Sequence, residues 1–252
     1  MTLIWLALAG FVAWTVSTLA GGGGALLLVP AVSYLIGTRA VAPVVTLTAM
    51  LGSPARIYLF WEHIDWKIVR WYLPGAVVGA LAGAWIFSTT QAEWLQIIVG
   101  LFLISTVWQY RFGKREQSFE VRLWYFLPAG LTVSFFSGLI GATGPVLNPL
   151  YLNYGAIKEE MIATKSVSSF VMHLIKIGTY TALGALSGSY LLFGLAAGLA
   201  AVAANWVGKR WLKKLTEERF RQLVIAVMVV SGISMLWGQR DILVNLLRGA
   251  IG

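Results

Sequence analysis

The chain has 252 residues, of which 58% are hydrophobic and only 12% are charged, and it contains no cysteine. Soluble domains usually carry about 25% charged residues, so this composition excludes an ordinary soluble domain, and the lack of cysteine excludes disulfides and thiolate metal sites. The formal net charge of +9 fits Lys and Arg residues retained in the cytoplasmic loops of a membrane protein better than a nucleic-acid-binding surface.

Ten apolar segments follow one another along the chain. Two are short, at residues 25–36 and 145–156, and each directly follows a glycine-rich break. Because no Lys or Arg precedes the first apolar run, we interpret that run as a membrane segment and not as a cleaved leader. Pro54, Pro145 and Pro149 are expected at helix breaks. The other eight segments have the length of a membrane span: 3–20, 41–61, 70–88, 94–112, 122–140, 163–186, 188–207 and 221–238.

The order of long and short segments occurs twice, which indicates a duplication. The stretch "STLAGGGGALLL" at 17–28 aligns without a gap with "SGLIGATGPVLN" at 137–148, so that Ser17 meets Ser137 and Gly21 meets Gly141. We therefore predict an all-α polytopic membrane protein with 8–10 membrane segments. Its predicted parts are a first membrane repeat (1–112), a cytoplasmic linker (113–121) and a second membrane repeat (122–252).

The positive charges indicate that the two repeats have opposite orientations. The loop at 62–70 carries cations, whereas its counterpart at 187–189 carries none. The loop at 89–93 has no cation, whereas its counterpart at 208–221 is rich in Lys and Arg. Because cations are retained on the cytoplasmic side, this pattern predicts inverted-topology repeats with both termini external. The two short segments either span the membrane or re-enter it from one side.

The two glycine-rich breaks are candidates for a substrate site. Each is expected to end one helix and begin another, which leaves N–H donors and a positive dipole end at the start of the second helix. Such an end binds anions without a charged side chain. For glycines elsewhere, such as Gly75, Gly79 and Gly83, close helix packing is the favoured explanation. The predicted substrate-binding residues of the breaks are Gly21, Gly22, Gly23, Gly24, Gly141, Thr143, Gly144 and Pro145.

With "GGGGALLLVP" and "GATGPVLNPL", a glycine-rich turn followed by proline in each half, the chain resembles the sulfite exporter TauE/SafE family, also called the toluene-sulfonate uptake permease family. The resemblance extends over nearly the whole chain. It implies a membrane transporter for sulfur-containing anions such as sulfite, sulfoacetate or other organosulfonates. Ala142 and Thr143 stand where a denser glycine run would be typical of the family, so its substrate does not carry over directly.

Two basic side chains and one histidine that lie well inside apolar segments are candidates for the site. Lys176 is near the middle of segment 163–186, and no Asp or Glu lies in any apolar segment to pair with it. This favours an anionic substrate as its partner, with a neutral amine or helix-end carbonyls as alternatives. His173 shares a helix face with Lys176 and is a proton-relay candidate, or a simple hydrogen-bonding residue. Arg56 either contacts substrate or extends to the membrane interface.

Polar side chains beside the breaks complete the candidate set. Thr18, Thr46 and Asn148 could donate hydrogen bonds to a bound anion. The alternative for each hydroxyl is a bond to the carbonyl four residues earlier in its own helix.

Together these features predict a secondary transporter that moves a small anion by alternating access across the cytoplasmic (inner) membrane of a bacterium. The expected partners are the anion, the lipid bilayer and H⁺ as a candidate coupling ion, with no nucleic acid, cofactor or metal. An enzyme is not expected, because no two carboxylates share a membrane segment and no HExxH motif occurs. The alternatives are an uncoupled anion channel and a membrane-embedded assembly protein without transport activity.

Overall fold

The computed structural model describes residues 1–89, 119–140, 143–186 and 188–238, together with residues 101, 104 and 240. Most of these residues are helical, and the described ranges include no strand, which confirms the predicted all-α class for this part of the chain. Most of the predicted segment 94–112, most of the linker 113–121 and Gly141 lie outside the described residues.

The described ranges contain nine α-helices, which we number in chain order. Short 3₁₀ helices precede three of them, at Thr38–Ala40, Leu123–Tyr125 and Gly144–Leu147, and a fourth follows α3 at Trp61–His63. The α-helices are α1 (Thr2–Leu19), α2 (Gly24–Ile36), α3 (Val41–Leu59), α4 (Trp66–Thr89), α5 (Phe126–Ile140), α6 (Asn148–Tyr154), α7 (Lys158–Ala182), α8 (Gly188–Leu212) and α9 (Glu217–Gly238).

The helix ends differ from the predicted segments in two instructive places. Helix α7 begins at Lys158, five residues before the predicted start at 163, and its first turn holds Glu159 and Glu160, whose charges favour a helix N-terminus. The predicted short segment 145–156 is divided into a 3₁₀ helix and the seven-residue α6. A prediction from apolar residues alone misses the earlier start of α7, because the first three residues of this helix are charged.

The prolines behave in two ways. The predicted break at Pro54 is wrong, because α3 continues through this residue to Leu59. A proline inside a helix removes one backbone hydrogen bond, and neighbouring helices can compensate for that loss. Pro149, in contrast, occupies the first turn of α6, where the missing N–H would have no intrahelical partner.

The lengths and surfaces of the helices are those of a membrane protein. Within the described residues, three helices are long and apolar enough to cross a membrane: Thr2–Leu19, Trp66–Ser88 and Gly188–Leu212. Gly24–Ile36 and Leu123–Leu139 are shorter apolar helices. Large apolar side chains such as Trp5, Leu199 and Val230 are exposed on the outer surface. Such exposure is expected where the surroundings are lipid rather than water.

Four helix pairs of the bundle run parallel. Helix α1 packs along α8, with Gly10 against Ala197 and Thr18 against Gly208. Helix α3 also packs along α8, with successive side chains of α3 against successive glycines of α8. Helix α4 packs along α5 and contacts α7, again with residue numbers rising together. In addition, α3 contacts α7, so α3 and α7 lie at the centre of the described bundle.

The glycines of α4 explain its close contact with α5. A Cβ atom added at Gly75, Gly79 or Gly83 would lie 2.1–2.2 Å from a main-chain oxygen of α5, which is closer than any two such atoms can approach. Glycine at every fourth position therefore allows the two backbones to touch. Close packing is thus the observed role of these three glycines.

Candidate functional site

The first glycine break is a tight turn that only glycine adopts readily. Helix α1 ends at Leu19 and α2 begins at Gly24, and the three intervening glycines have φ values of 61°, 132° and 93°. L-residues with a side chain rarely occupy this left-handed region. The turn is closed by a hydrogen bond from the Gly22 N–H to the Ser17 carbonyl at 2.8 Å. The first amides of α2 have no intrahelical acceptor, as at any helix N-terminus.

A cavity of about 80 Å³ opens beside this turn, several times the volume that one water molecule needs. It is bounded by the end of α1, the start of α2, and parts of α3, α5 and α7. Its apolar lining includes Trp14, Ile162 and Met172. The lining also includes hydroxyl-bearing residues, namely Ser17, Ser53, Ser137, Thr143, Ser166 and Ser169.

The charged residues of the cavity lining are all cationic. Arg56 from α3 and Lys165 from α7 line the cavity, as does His173, and none of the described lining residues is Asp or Glu. A small cavity that combines two cations with the amides of a glycine turn is complementary to an anion. The charge balance therefore favours a negatively charged occupant over a neutral or cationic one.

Lys165 connects the two glycine breaks, although the sequence analysis did not identify it. Its side chain is only 7% exposed, and its Nζ donates to the Gly21 carbonyl at 2.6 Å. The same ammonium donates to Asn148 Oδ1, at the start of α6, and lies 5.9 Å from the centre of the Tyr151 ring. One side chain of α7 thus holds the first break and the segment that follows the second.

Arg56 is fixed by polar groups from two other helices. Its Nε donates to Asn205 Oδ1 of α8 at 2.7 Å, and its Nη2 donates to the Trp14 carbonyl of α1 at 3.3 Å. These bonds place Arg56 in the lining of the cavity, and substrate contact by Arg56 stays a prediction.

Lys176 and His173 lie on the same side of α7, farther along the helix. Lys176 is fully buried, and its Nζ donates to Ser137 Oγ at 3.2 Å. Ser137 lines the cavity, whereas Lys176 itself is not among the lining residues. His173 is 6% exposed, lines the cavity, and its Nδ1 has no hydrogen-bond partner among the described residues.

Of the other residues predicted from the sequence, some line the cavity and some do not. The lining includes all four glycines of the first break and Thr143, whose Oγ1 donates to the Val133 carbonyl at 3.1 Å. Thr18 is buried and bonds to the Trp14 carbonyl and to Asn205, while Thr46 is buried without a partner in the described part of the chain. Asn148 contacts Lys165. Gly144 and Pro145 begin the 3₁₀ helix before α6, and Gly141 lies outside the described residues.

Comparison with known proteins identifies the family of the chain. The family model described as Sulfite exporter TauE/SafE matches residues 6–235, which is most of the chain and includes every described residue of the cavity. The chain belongs to the TauE/SafE family. The resemblance drawn from the two glycine-rich breaks is therefore confirmed, and so is the expectation that the chain is a membrane transporter and not an enzyme.

A curated member of similar length is known. The chain is 22% identical over 198 residues to a probable inner membrane transporter protein, TsaS, of Comamonas testosteroni, and the match covers 76% of this chain and 83% of the relative. No solved structure is a significant match to this TauE/SafE chain.

Proposed function

We propose that this chain is a secondary transporter that moves a small sulfur oxyanion or organosulfonate, such as sulfite or sulfoacetate, across the bacterial inner membrane by alternating access. The main support for this proposal is the lining of the cavity beside Gly21–Gly24. It includes Arg56 and Lys165 and has no carboxylate among its described residues. The family and the relative named as a probable inner membrane transporter support membrane transport, without specifying the substrate or the mechanism.

The helix directions support the proposed inverted repeats, 1–112 and 122–252, joined by a cytoplasmic linker at 113–121. The repeat alignment equates α1 with α5, α3 with α7, and α4 with α8. One parallel set consists of α1, α3 and α8, and the other consists of α4, α5 and α7, so equivalent helices fall in opposite sets. Helices α3 and α4 are separated by only six residues, and a chain that crosses the membrane and returns so soon reverses its direction. Both termini are then external.

The length of α2 supports a re-entrant first break. Thirteen residues make a helix of roughly 20 Å, which is shorter than the hydrocarbon core of about 30 Å. Helix α2 packs against α1, so the two form a hairpin whose turn lies at the cavity. In the proposed mechanism the anion is held at this turn while the two repeats move relative to each other.

We assign the binding role to the residues around this turn. The backbone of Gly21, Gly22, Gly23 and Gly24 and the Arg56 side chain face the anion, and Thr143 lines the site while its hydroxyl donates to the Val133 carbonyl. Lys176 acts through Ser137, and the remaining members of the site are Thr18, Thr46, Gly141, Gly144, Pro145 and Asn148. His173 is the proposed proton relay for H⁺ coupling, which its buried Nδ1 without a described partner supports.

Counterflow in proteoliposomes tests the proposed function. Vesicles preloaded with unlabelled sulfite are placed in a small amount of ³⁵S-labelled sulfite, and parallel sets use sulfoacetate, sulfate and chloride. A carrier accumulates label transiently above equilibrium, because outward and inward movements of substrate are coupled through one site. Equilibration without transient accumulation indicates an uncoupled channel, and no flux of any anion contradicts the proposal. His173→Gln distinguishes proton coupling from anion exchange, because it should abolish uptake driven by a pH gradient and leave counterflow intact.

A further inference from the structure

Asn205 is a buried polar residue that lies behind the cavity. It lies in the last third of α8, in the apolar stretch "AVAANWVG", and its side chain is 0% exposed. It is not among the residues that line the cavity. An amide in a lipid-surrounded bundle is costly unless its groups are hydrogen-bonded, so its partners indicate its role.

The partners of Asn205 determine the orientation of its amide. Its Nδ2 donates to the Gly52 carbonyl at 2.8 Å, and its Oδ1 accepts from Arg56 Nε at 2.7 Å. A main-chain carbonyl cannot donate and a guanidinium cannot accept, so the reverse orientation would lose both bonds. Thr18 Oγ1 also lies 3.0 Å from the same Oδ1. The amide is therefore held from both sides in a single orientation.

The hydrogen bond to Asn205 holds one edge of the Arg56 guanidinium, and the remaining N–H donors lie on the other edge. Nε donates to Asn205 and Nη2 donates to the Trp14 carbonyl. Nη1 makes no hydrogen bond to any residue that the structure describes. Arg56 and Trp14 both line the cavity. A guanidinium fixed at Nε presents its planar set of donors in one direction, which is the geometry that binds oxyanions most effectively.

We propose that Asn205 is a positioning residue that orients the Arg56 guanidinium toward the transported anion without touching that anion. The inference rests on the proposed transport function, and it assigns specificity for an oxyanion to a contact between α8 and α3. Because these helices belong to different repeats, relative movement of the repeats would also alter the orientation of Arg56.

A double-mutant cycle on the full-length protein tests the proposal. The concentration of sulfite at half-maximal flux and the maximal flux are measured for wild type, Asn205→Ala, Arg56→Lys and the double variant. Lysine has no N–H group equivalent to the Arg56 Nε–H that donates to Asn205. The effect of Asn205→Ala on the half-saturation concentration should therefore depend on whether residue 56 is Arg. We expect Asn205→Ala to raise the half-saturation concentration about tenfold in the wild-type background, as for loss of a bond to a charged group, and less than about twofold with Arg56→Lys.

Two controls separate positioning from a purely structural role. Tyr72→Phe removes a buried interhelical bond to Ser134 of 3.1 Å away from the cavity, and should leave the half-saturation concentration unchanged. Asn205→Asp has nearly the same shape but places a carboxylate beside Arg56, and should raise the half-saturation concentration more than Asn205→Ala does.

The reaction of Arg56 with phenylglyoxal gives a readout that does not require transport. Release from Asn205 should make Arg56 react several-fold faster in Asn205→Ala than in wild type. An equal reaction rate, or an equal rise in half-saturation concentration in both Arg56 backgrounds, overturns the positioning role. Absence of saturable flux in the wild type would instead contradict the proposed function, and the phenylglyoxal rates would still decide whether Asn205 restrains Arg56.

Discussion

The Nζ of Lys165 lies 2.6 Å from the main-chain oxygen of Gly21, although the two residues are 144 positions apart in the chain. The same ammonium contacts Asn148, so the central helix α7 is attached to the turn of the first repeat and to the broken segment of the second. The bond joins a cation to a carbonyl of the turn itself, and a change at Lys165 is therefore expected to affect the shape of the site as well as its charge.

Replacing Lys165 by Met removes the charge and keeps most of the apolar side chain. The carbonyl of Gly21 and the amide oxygen of Asn148 then lose a donor in a buried site, and each such loss costs roughly 1–3 kcal/mol. We expect sulfite flux in proteoliposomes to fall at least about tenfold. Lys213→Met is the matched control, because Lys213 is exposed in the connection after α8. Wild-type flux in correctly folded Lys165→Met protein would contradict the proposed role.

The glycine turn can be tested by two substitutions with equal backbone strain. Gly23 (φ 93°, ψ −10°) and Gly155 (φ 99°, ψ −3°) have nearly the same conformation, but only Gly23 lines the cavity. Alanine in this left-handed region costs roughly 1–2 kcal/mol. Gly23→Ala and Gly155→Ala should therefore lower the thermal unfolding temperature by similar amounts. Only Gly23→Ala should reduce flux, and equal fluxes in the two variants would argue against binding at the turn.

The packing of α4 against α5 predicts opposite effects for two glycine substitutions. A Cβ at Gly79 would lie 2.1 Å from the Leu131 oxygen, whereas a Cβ at Gly178 in α7 would meet nothing within 4 Å. Gly79→Ala should destabilise the fold by about 1–3 kcal/mol through overpacking. Gly178→Ala should be stabilising by roughly 0.5–1 kcal/mol, because alanine favours a helix interior. Thermal unfolding in detergent measures both, and shifts of the same sign would contradict this packing.

Lys176 provides a test of whether the site extends beyond the cavity lining. Its ammonium donates to Ser137, which lines the cavity, so Lys176→Met should weaken flux by lowering the positive charge behind that serine. Ser137→Ala should give a smaller decrease in the same direction. Lys67→Met, at an exposed position outside the site, is the control for the loss of one charge. Unchanged flux in Lys176→Met would restrict the site to the cavity lining.

The apolar segments predicted the helices well because hydrocarbon thickness and helix rise are fixed quantities. Seven of the described helices, for example α1 and α3, start or end within one residue of the segments read from the sequence. The glycine runs also identified the first break and its place in the site, since consecutive glycines are unfavourable within a membrane helix. These features depend on local composition, and a single sequence contains that information.

The contacts that assemble the site were not predictable in the same way. Lys165 lies only two residues inside the predicted segment 163–186, whereas the actual start of α7 at Lys158 places it two turns inside the helix. Its spacing of eleven residues from Lys176 puts both on one helix face, a signal that could have identified it. Asn205 was overlooked as one amide among apolar residues, although its type is unusual in such a helix.

Substitution of Arg56 is the sharpest experiment on the proposed binding of the transported anion in the cationic cavity beside Gly21–Gly24. Saturable ³⁵S-sulfite flux should be measured for wild type, Arg56→Gln and Arg210→Gln in parallel, with folding checked by size-exclusion chromatography. Arg210 is exposed near the end of α8, so the two variants lose the same charge at different places. We expect Arg56→Gln to raise the half-saturation concentration at least about tenfold and Arg210→Gln to match wild type. Equal half-saturation concentrations in all three proteins would contradict the proposed binding.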